Sequence, residues 1–291
     1  MLAFCGMAAH AGMAVLVLSD DSAPYHEAAG AIESALSPQH SVVRMSADKL
    51  AASASVVSRA NLLVAIGVKA ADQIAGLGGA TPVLAVLVTE DWYQTQGRTR
   101  LAAGGRSVGV VVLEQPLSRQ MSLVRKTFPH AEKLGVVLGR KNAGMLEALQ
   151  AAAANEGLTL VGALSESESS LVATLGQVLR EADLLLAVPD AEVLNRNTVQ
   201  SVLMTTYRYR DPVVAYSKAL SRAGALVSLY STPEQIGRQA GEIAARAMGG
   251  ARLPGLQWPK YFSVSVNTHV VRSLGIDVPP EEALLRGLGE Q

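Results

Sequence analysis

From residue 14 onward, short runs of Val, Leu and Ile alternate with longer stretches whose apolar positions fall three or four residues apart. The first series covers 14–19 (AVLVLS), 41–46 (SVVRMS), 61–67 (NLLVAIG), 82–88 (PVLAVLV) and 107–113 (SVGVVVL). A second series covers 133–139 (KLGVVLG), 158–164 (LTLVGAL), 183–189 (DLLLAVP), 212–217 (PVVAYS) and 226–231 (LVSLYS). Apolar runs this short, bounded by Gly, Pro, Asp or Ser, predict strands covered on both faces, as in parallel sheets. The stretches between them predict amphipathic helices. In 145–157, for example, Leu146, Leu149 and Ala153 share a face and Gly157 supplies the stop signal. Repeated strand–helix–strand units predict an α/β protein with parallel sheets and right-handed crossovers.

The rhythm breaks at 114–129. EQPLSRQMSLVRKTFP reads as a helix opened by Pro116 and halted by Pro129, after which a new set of strands begins. Two matching series predict two Rossmann-like lobes rather than one barrel. The first lobe is expected at 14–113 plus about 233–262, and the second at 114–232 plus about 263–291. A length of 291 residues suits two domains, and 49% apolar against 17% charged residues supplies ample core. Lys and Arg number 25 against 25 Asp and Glu, and without a basic cluster a nucleic-acid partner is not expected. A single cysteine excludes an intramolecular disulfide framework and a Cys-rich metal site. No apolar stretch reaches about 18 residues, so no internal membrane span is expected. The segment 1–14 (MLAFCGMAAHAGMA) resembles the apolar end of an export signal, with Cys5 a candidate for acylation.

Catalytic motifs find little support. Gly105-Arg106-Ser107-Val108-Gly109 fits G-x-S-x-G, but Ser107 stands before its strand, whereas a nucleophile elbow follows one. Gly76-Leu77-Gly78-Gly79 follows a predicted helix and reads as a cap and loop, not a dinucleotide turn. The five histidines are scattered, so neither a metal nor any other cofactor is expected.

Ligands of open parallel sheets bind beyond the carboxyl ends of the strands. In the first lobe those positions hold Ser19, Asp21 and Tyr25, then Gly67 and Lys69, then Glu90, Trp92 and Tyr93. In the second they hold Arg140 and Asn142, Ser165, Asp190 and Asn195, and Tyr216 with Ser217. Such a set suits a small polar or zwitterionic ligand. Trp92 or Tyr93 is expected to stack on it, and Arg140 or Lys69 to meet a carboxylate. Several of the same residues, Ser165 and Asp190 among them, are equally suited to capping the helices that follow.

The segment 183–250 carries Pro189-Asp190, Thr198-Val199, Pro212-Val213-Val214, Ser217, Ala223-Gly224-Ala225, Gly237-Arg238-Gln239 and Gly249-Gly250 in that order. With 115–139 and 263–279 it resembles the tryptophan-binding-protein-like substrate-binding proteins of ABC transporters. The resemblance covers about 115–280; the first lobe shares only the rhythm. It implies a type I periplasmic binding protein fold, with two lobes joined by hinge strands. It also implies export to the periplasm, an ABC permease as partner, and capture of ligand by a monomer rather than catalysis. The loop TEDWYQTQG (89–97) departs from that family's usual Gly- and Thr-rich loops, so the relatives' ligand does not carry over. A natural anchor pair is Trp92 or Tyr93 against Asp190 or Tyr216, and Asp190→Ala is expected to weaken binding without unfolding the chain. The same architecture would also serve a periplasmic sensor passing closure to a signalling partner, or, with less support, a two-lobed enzyme.

Overall fold

A computed structural model describes residues 12–37 and 39–289. The export signal and Cys5 acylation expected of the first residues rest mainly on 1–11, which lie outside the described residues. The chain divides into two compact units. One contains the residues up to Glu114 together with Ser231–Phe262; the other contains Gln115–Tyr230 and the residues from Ser263 onward.

The first unit is built on a six-stranded sheet in the order β11-β5-β4-β3-β1-β2. Its strands are β1 (Met13–Leu18), β2 (Ser41–Ser46), β3 (Leu62–Ile66), β4 (Val83–Val88), β5 (Val108–Val112) and β11 (Leu256–Gln257), all paired in parallel. The continuous apolar runs follow from cover on both faces. Ala14, Leu16 and Leu18 of β1 join a core with Ile32, Leu36, Ile236 and Ile243, while Val15 and Val17 join one with Leu50, Ile74 and Leu101 on the other side. On the first face, the helices Ala23–Leu36 and Pro233–Met248 lie very close together. A Cβ added at Gly237 would stand 2.5 Å from the carbonyl oxygen of Ala28, and one at Gly241 would stand 2.6 Å from Cβ of Ala35. This contact docks the returning segment Ser231–Phe262 on the first unit.

The second unit repeats the plan with the order β12-β10-β9-β8-β6-β7. Strands β6 (Lys133–Gly139), β7 (Thr159–Ser165), β8 (Leu184–Leu186), β9 (Val213–Ala215) and β10 (Val227–Tyr230) run parallel. Strand β12 (Ser263–Val266) pairs antiparallel with β10, Tyr230 facing Ser263. The helices Leu171–Leu179 and Val199–Tyr209 cover Val137, Leu185, Val213 and Ala215 on one face. The helix Leu117–Thr127 starts after Pro116 and stops before Pro129, as the sequence predicts, and packs against the last helix, Glu281–Gly289, which buries Leu284 and Leu288. Ser107 lies immediately before β5, and Gly76–Gly79 close and follow the helix Val68–Gly76, so neither occupies a strand-to-helix turn. Each unit is therefore an α/β layer structure with one polar loop set at the carboxyl ends of its strands.

Candidate functional site

At the carboxyl end of β1 and β3, the structure brings Ser19, Tyr25 and Gly67 together. Ser19 is 4% exposed, and its Oγ accepts the backbone N–H of Ala70 at 3.0 Å, satisfying an orphan donor at the start of the helix Val68–Gly76. Gly67 adopts φ +94°, and a Cβ there would lie 2.5 Å from Ser19 Oγ and 2.7 Å from the Tyr25 ring, so both the backbone and the close approach require glycine. The charged neighbours turn to local partners. Lys69 meets Asp48 at 2.8 Å, and Asp21 meets His26 at 2.6 Å. The carboxyl of Asp20 is held below its usual range by hydrogen bonds from the hydroxyl and N–H of Ser22.

Strand β4 ends in an irregularity. Val86 faces Val111 and Val88 faces Val112, leaving Leu87 as an extra residue with φ +52°. A bulge carrying a leucine in the left-handed region is strained backbone, of the kind that re-aims a chain at a binding edge. Beyond it, Thr89 Oγ1 caps the turn Glu90–Trp92 by accepting from Trp92 N at 3.2 Å. A π-helical turn, Tyr93–Gly97, comes next. Trp92 and Tyr93 are each 7% exposed and belong to the core, and Gly97 exists where a Cβ would stand 2.5 Å from the Trp92 ring. The flat surface expected of these two rings is thus largely spent on packing.

Two residues that the sequence did not single out stand at this edge. Glu114 follows β5, and its Oε2 accepts the backbone N–H of Glu90 at 2.9 Å. Burial pushes its carboxyl above the usual range, and the neighbouring Glu90 charge adds to the effect. Trp258 follows β11, is 46% exposed, and donates its indole N–H to Glu90 Oε2 at 3.3 Å. A two-residue strand in a returning segment gives no periodic signal, which hides Trp258. Glu114 was legible only as the residue after the fifth apolar run.

In the second unit, Asp190 is 3% exposed and ties two loops together. Its Oδ2 accepts Gly139 N at 2.7 Å and its Oδ1 accepts Glu192 N at 2.8 Å. Since both carboxylate oxygens hold backbone N–H groups, the expectation that Asp190→Ala leaves folding intact is revised: its loss strands two donors. Tyr216 lies near it, with the phenol raised by burial and then by the Asp190 charge. Ser217 caps the helix Lys218–Ala223 by accepting Leu220 N at 3.2 Å. Ser165 donates to the carbonyl of Ser167 at 2.9 Å. Asn195 Oδ1 accepts from Asn197 N and Thr198 N at 2.8 and 3.2 Å, and its Nδ2 donates to Ala191 O at 3.0 Å. Arg140 pairs with Glu166 at 3.2 Å on an exposed surface, and Asn142 ends the short turn Arg140–Asn142 half-buried. Ser19, Ser165, Asp190, Asn195 and Ser217 therefore shape the loops. Glu90, Glu114, Trp258, Arg140, Asn142 and Tyr216 keep groups that a ligand could engage. Among the described residues no group of three or more His, Cys, Asp or Glu is arranged to hold a metal, and no helix is long and apolar enough to cross a membrane.

Two α/β units, each with polar loops at the carboxyl edge of a sheet, have the plan of the two-lobed periplasmic binding protein fold. The chain belongs to the ABC transporter substrate binding protein family, whose model matches residues 34–287. Its fold is shared by solved structures, three of which illustrate the likeness. A ligand-free, open substrate binding protein with adhesive properties from Clostridium difficile aligns with a TM-score of 0.75 at 15% identity, covering 93% of this chain and 97% of that one. A conserved domain protein from Vibrio cholerae gives 0.61 at 18% identity over 94% and 97%. An ABC domain in complex with L-Trp from Streptococcus pneumonia gives 0.60 at 16% identity over 95% and 98%. No curated protein sequence matches the chain.

Proposed function

We propose that this chain is the solute-capturing component of an ABC-type importer, working in the periplasm as a monomer and delivering a small polar or zwitterionic molecule to a membrane permease. The family match across 34–287, which spans parts of both units, carries the reading. The neighbour bound to L-Trp supports a small organic ligand, without identifying this chain's own.

Capture proceeds by closure. The chain passes between its units at three places, Glu114/Gln115, Tyr230/Ser231 and Phe262/Ser263, and these are the segments about which the units would move. A ligand engaging loops of both units favours the closed state by its differential affinity, and the permease reads the closed surface. Moving an open–closed balance of a few kcal/mol takes an affinity difference of that size between the two states, which the roughly 8 kcal/mol of a micromolar Kd is large enough to contain. The loop hydrogen bonds of Ser19, Asp190 and Ser217 preorganise the edges, while Glu90, Tyr216, Arg140 and Asn142 offer polar contacts. No catalytic step is assigned to these groups.

The test is a thermal-shift screen over amino acids, amines, nucleosides, sugars and small organic acids, joined to mass spectrometry of any compound that copurifies. A true ligand at about 100 times its Kd adds roughly 2.7 kcal/mol of stability and is recovered unchanged. Conversion of the bound compound, or an absence of binding across the whole screen, would overturn the reading.

A further inference from the structure

We propose that the outer edge of the second sheet is a self-association surface, where β7 pairs antiparallel with β7 of a second copy about a two-fold axis at Gly162. The pairing is reversible, and the monomer of the capture cycle is its dilute form.

An open sheet edge is a template for another strand, and chains ordinarily shorten it, charge it or cover it. Three of the four edges here follow that rule. Strand β11 has two residues. Strand β2 carries Arg44, ion-paired with Glu33. Strand β12 has four residues, and its Val266 N–H donates to Glu281 Oε1 at 2.7 Å on the helix Glu281–Gly289 packed beside it. Strand β7 differs. It runs for seven residues, TLVGALS, without a charge or a proline, and Leu164 is 39% exposed. An open groove of about 450 Å³ lies along it, bounded also by Lys133, Gln177 and Glu181.

The strand is its own complement. Thr159 N–H donates to Glu132 O at 2.8 Å, and β7 lies parallel to β6 with Thr159 facing Lys133. The backbone groups of Thr159, Val161, Ala163 and Ser165 therefore point at β6, and those of Leu160, Gly162 and Leu164 point away from the sheet. An antiparallel partner centred on Gly162 sets Gly162 against Gly162 and Leu160 against Leu164. Each such pair exchanges both N–H···O bonds, so every outward group is used. The side chains agree with this register. Val161 and Ala163 pack on the core under the helix Leu171–Leu179, which leaves Leu160 and Leu164 to meet across the pair on the other face. Thr159 then faces Ser165. Lys133 and Glu181 stand at the Thr159 end and the Arg140–Glu166 ion pair at the Ser165 end, so the two-fold sets mixed charge against mixed charge. A patch that answers itself in hydrogen bonds, side chains and charge selects a second copy over an unrelated chain.

The test is sedimentation equilibrium of the ligand-free chain from about 1 μM to about 1 mM, a range that covers weak, transient pairing. The parent is expected to shift from monomer to dimer within it. Leu164→Lys and Leu160→Glu should each weaken the dimer about tenfold or more, while the melting temperature of the monomer moves by only a few degrees. An equimolar mixture of the two variants should pair better than either alone, because the antiparallel register sets the new lysine opposite the new glutamate. Amide exchange gives a second reading: raising the parent's concentration should slow exchange at Leu160, Gly162 and Leu164 and leave Val161 and Ala163, already bonded to β6, unchanged. A parent that stays monomeric across the range overturns the inference. So does a dimer that survives both substitutions, or a mixture that pairs no better than its components. Ligand capture by the monomer does not depend on the result.

Discussion

Asp190 shows how a residue at a binding edge can be architectural first. Each of its oxygens accepts a short backbone hydrogen bond in a buried setting, and hydrogen bonds to charged groups contribute about 1.5–3 kcal/mol each. Asp190→Ala is therefore expected to lower unfolding stability by roughly 2–4 kcal/mol in urea titrations, after allowing for entry of water, with Asp190→Asn intermediate. A loss below 0.5 kcal/mol would show that the loop does not depend on it. Asp211, just before β9, behaves in the other sense. Its Oδ2 is buried without a partner, and burial, with the nearby Asp183 charge, raises its pKa to about 6. A carboxyl whose folded pKa exceeds its unfolded value of 3.8 resists ionisation in the folded chain, so stability falls as pH rises from about 4 to about 6 and stays lower above that. Because Asp211 is only half-buried, screening reduces the effect to about 1 kcal/mol. Asp211→Asn should raise the melting temperature at pH 7 and change it little at pH 4; an equal change at both would assign the effect to something other than ionisation.

Elements were more legible than side-chain roles. Val83–Val88 and Leu62–Ile66 are apolar without alternation because helices cover both faces of the first sheet, and that local signal survives in the sequence. Strand β11 has two residues and owes its existence to pairing with β5, more than 140 positions earlier, so no window around it announces it. The same non-local pairing brings Trp258 to Glu90, while Trp92, which stands directly after a strand and looks available, is drawn into the core over Gly97. Local pattern thus marked the edge but not which aromatic remains open. The contact between Ala23–Leu36 and Pro233–Met248 allows a decision between two effects. Alanine in place of glycine inside a helix ordinarily gains about 1 kcal/mol. At Gly237 the added methyl would overlap the Ala28 carbonyl oxygen, and overpacking costs about 1–3 kcal/mol. Gly237→Ala should therefore destabilise, and Gly237→Leu more so, with faster amide exchange concentrated in those two helices and in the sheet they cover. Stabilisation by Gly237→Ala would mean that the helices separate at little cost.

On the scale of the whole molecule, stability and motion make separable demands. Each unit has its own sheet and buried core, while the connections at Glu114/Gln115, Tyr230/Ser231 and Phe262/Ser263 carry the chain between them. A ligand that touched one unit alone would still raise the melting temperature, since any ligand that prefers the folded state stabilises it by mass action. Thermal shift therefore reports binding without reporting closure. A ligand that contacts both units does more: it favours the conformation in which those contacts coexist, by the difference in its affinity for the two states. Small-angle X-ray scattering with and without a ligand found in the screen separates the cases. Closure predicts a smaller radius of gyration at saturation, together with the thermal shift, and both changes should weaken in E90Q at the same ligand concentration. A full thermal shift with an unchanged radius of gyration would show that the molecule binds without closing, and the permease would then need to recognise something other than a compacted form.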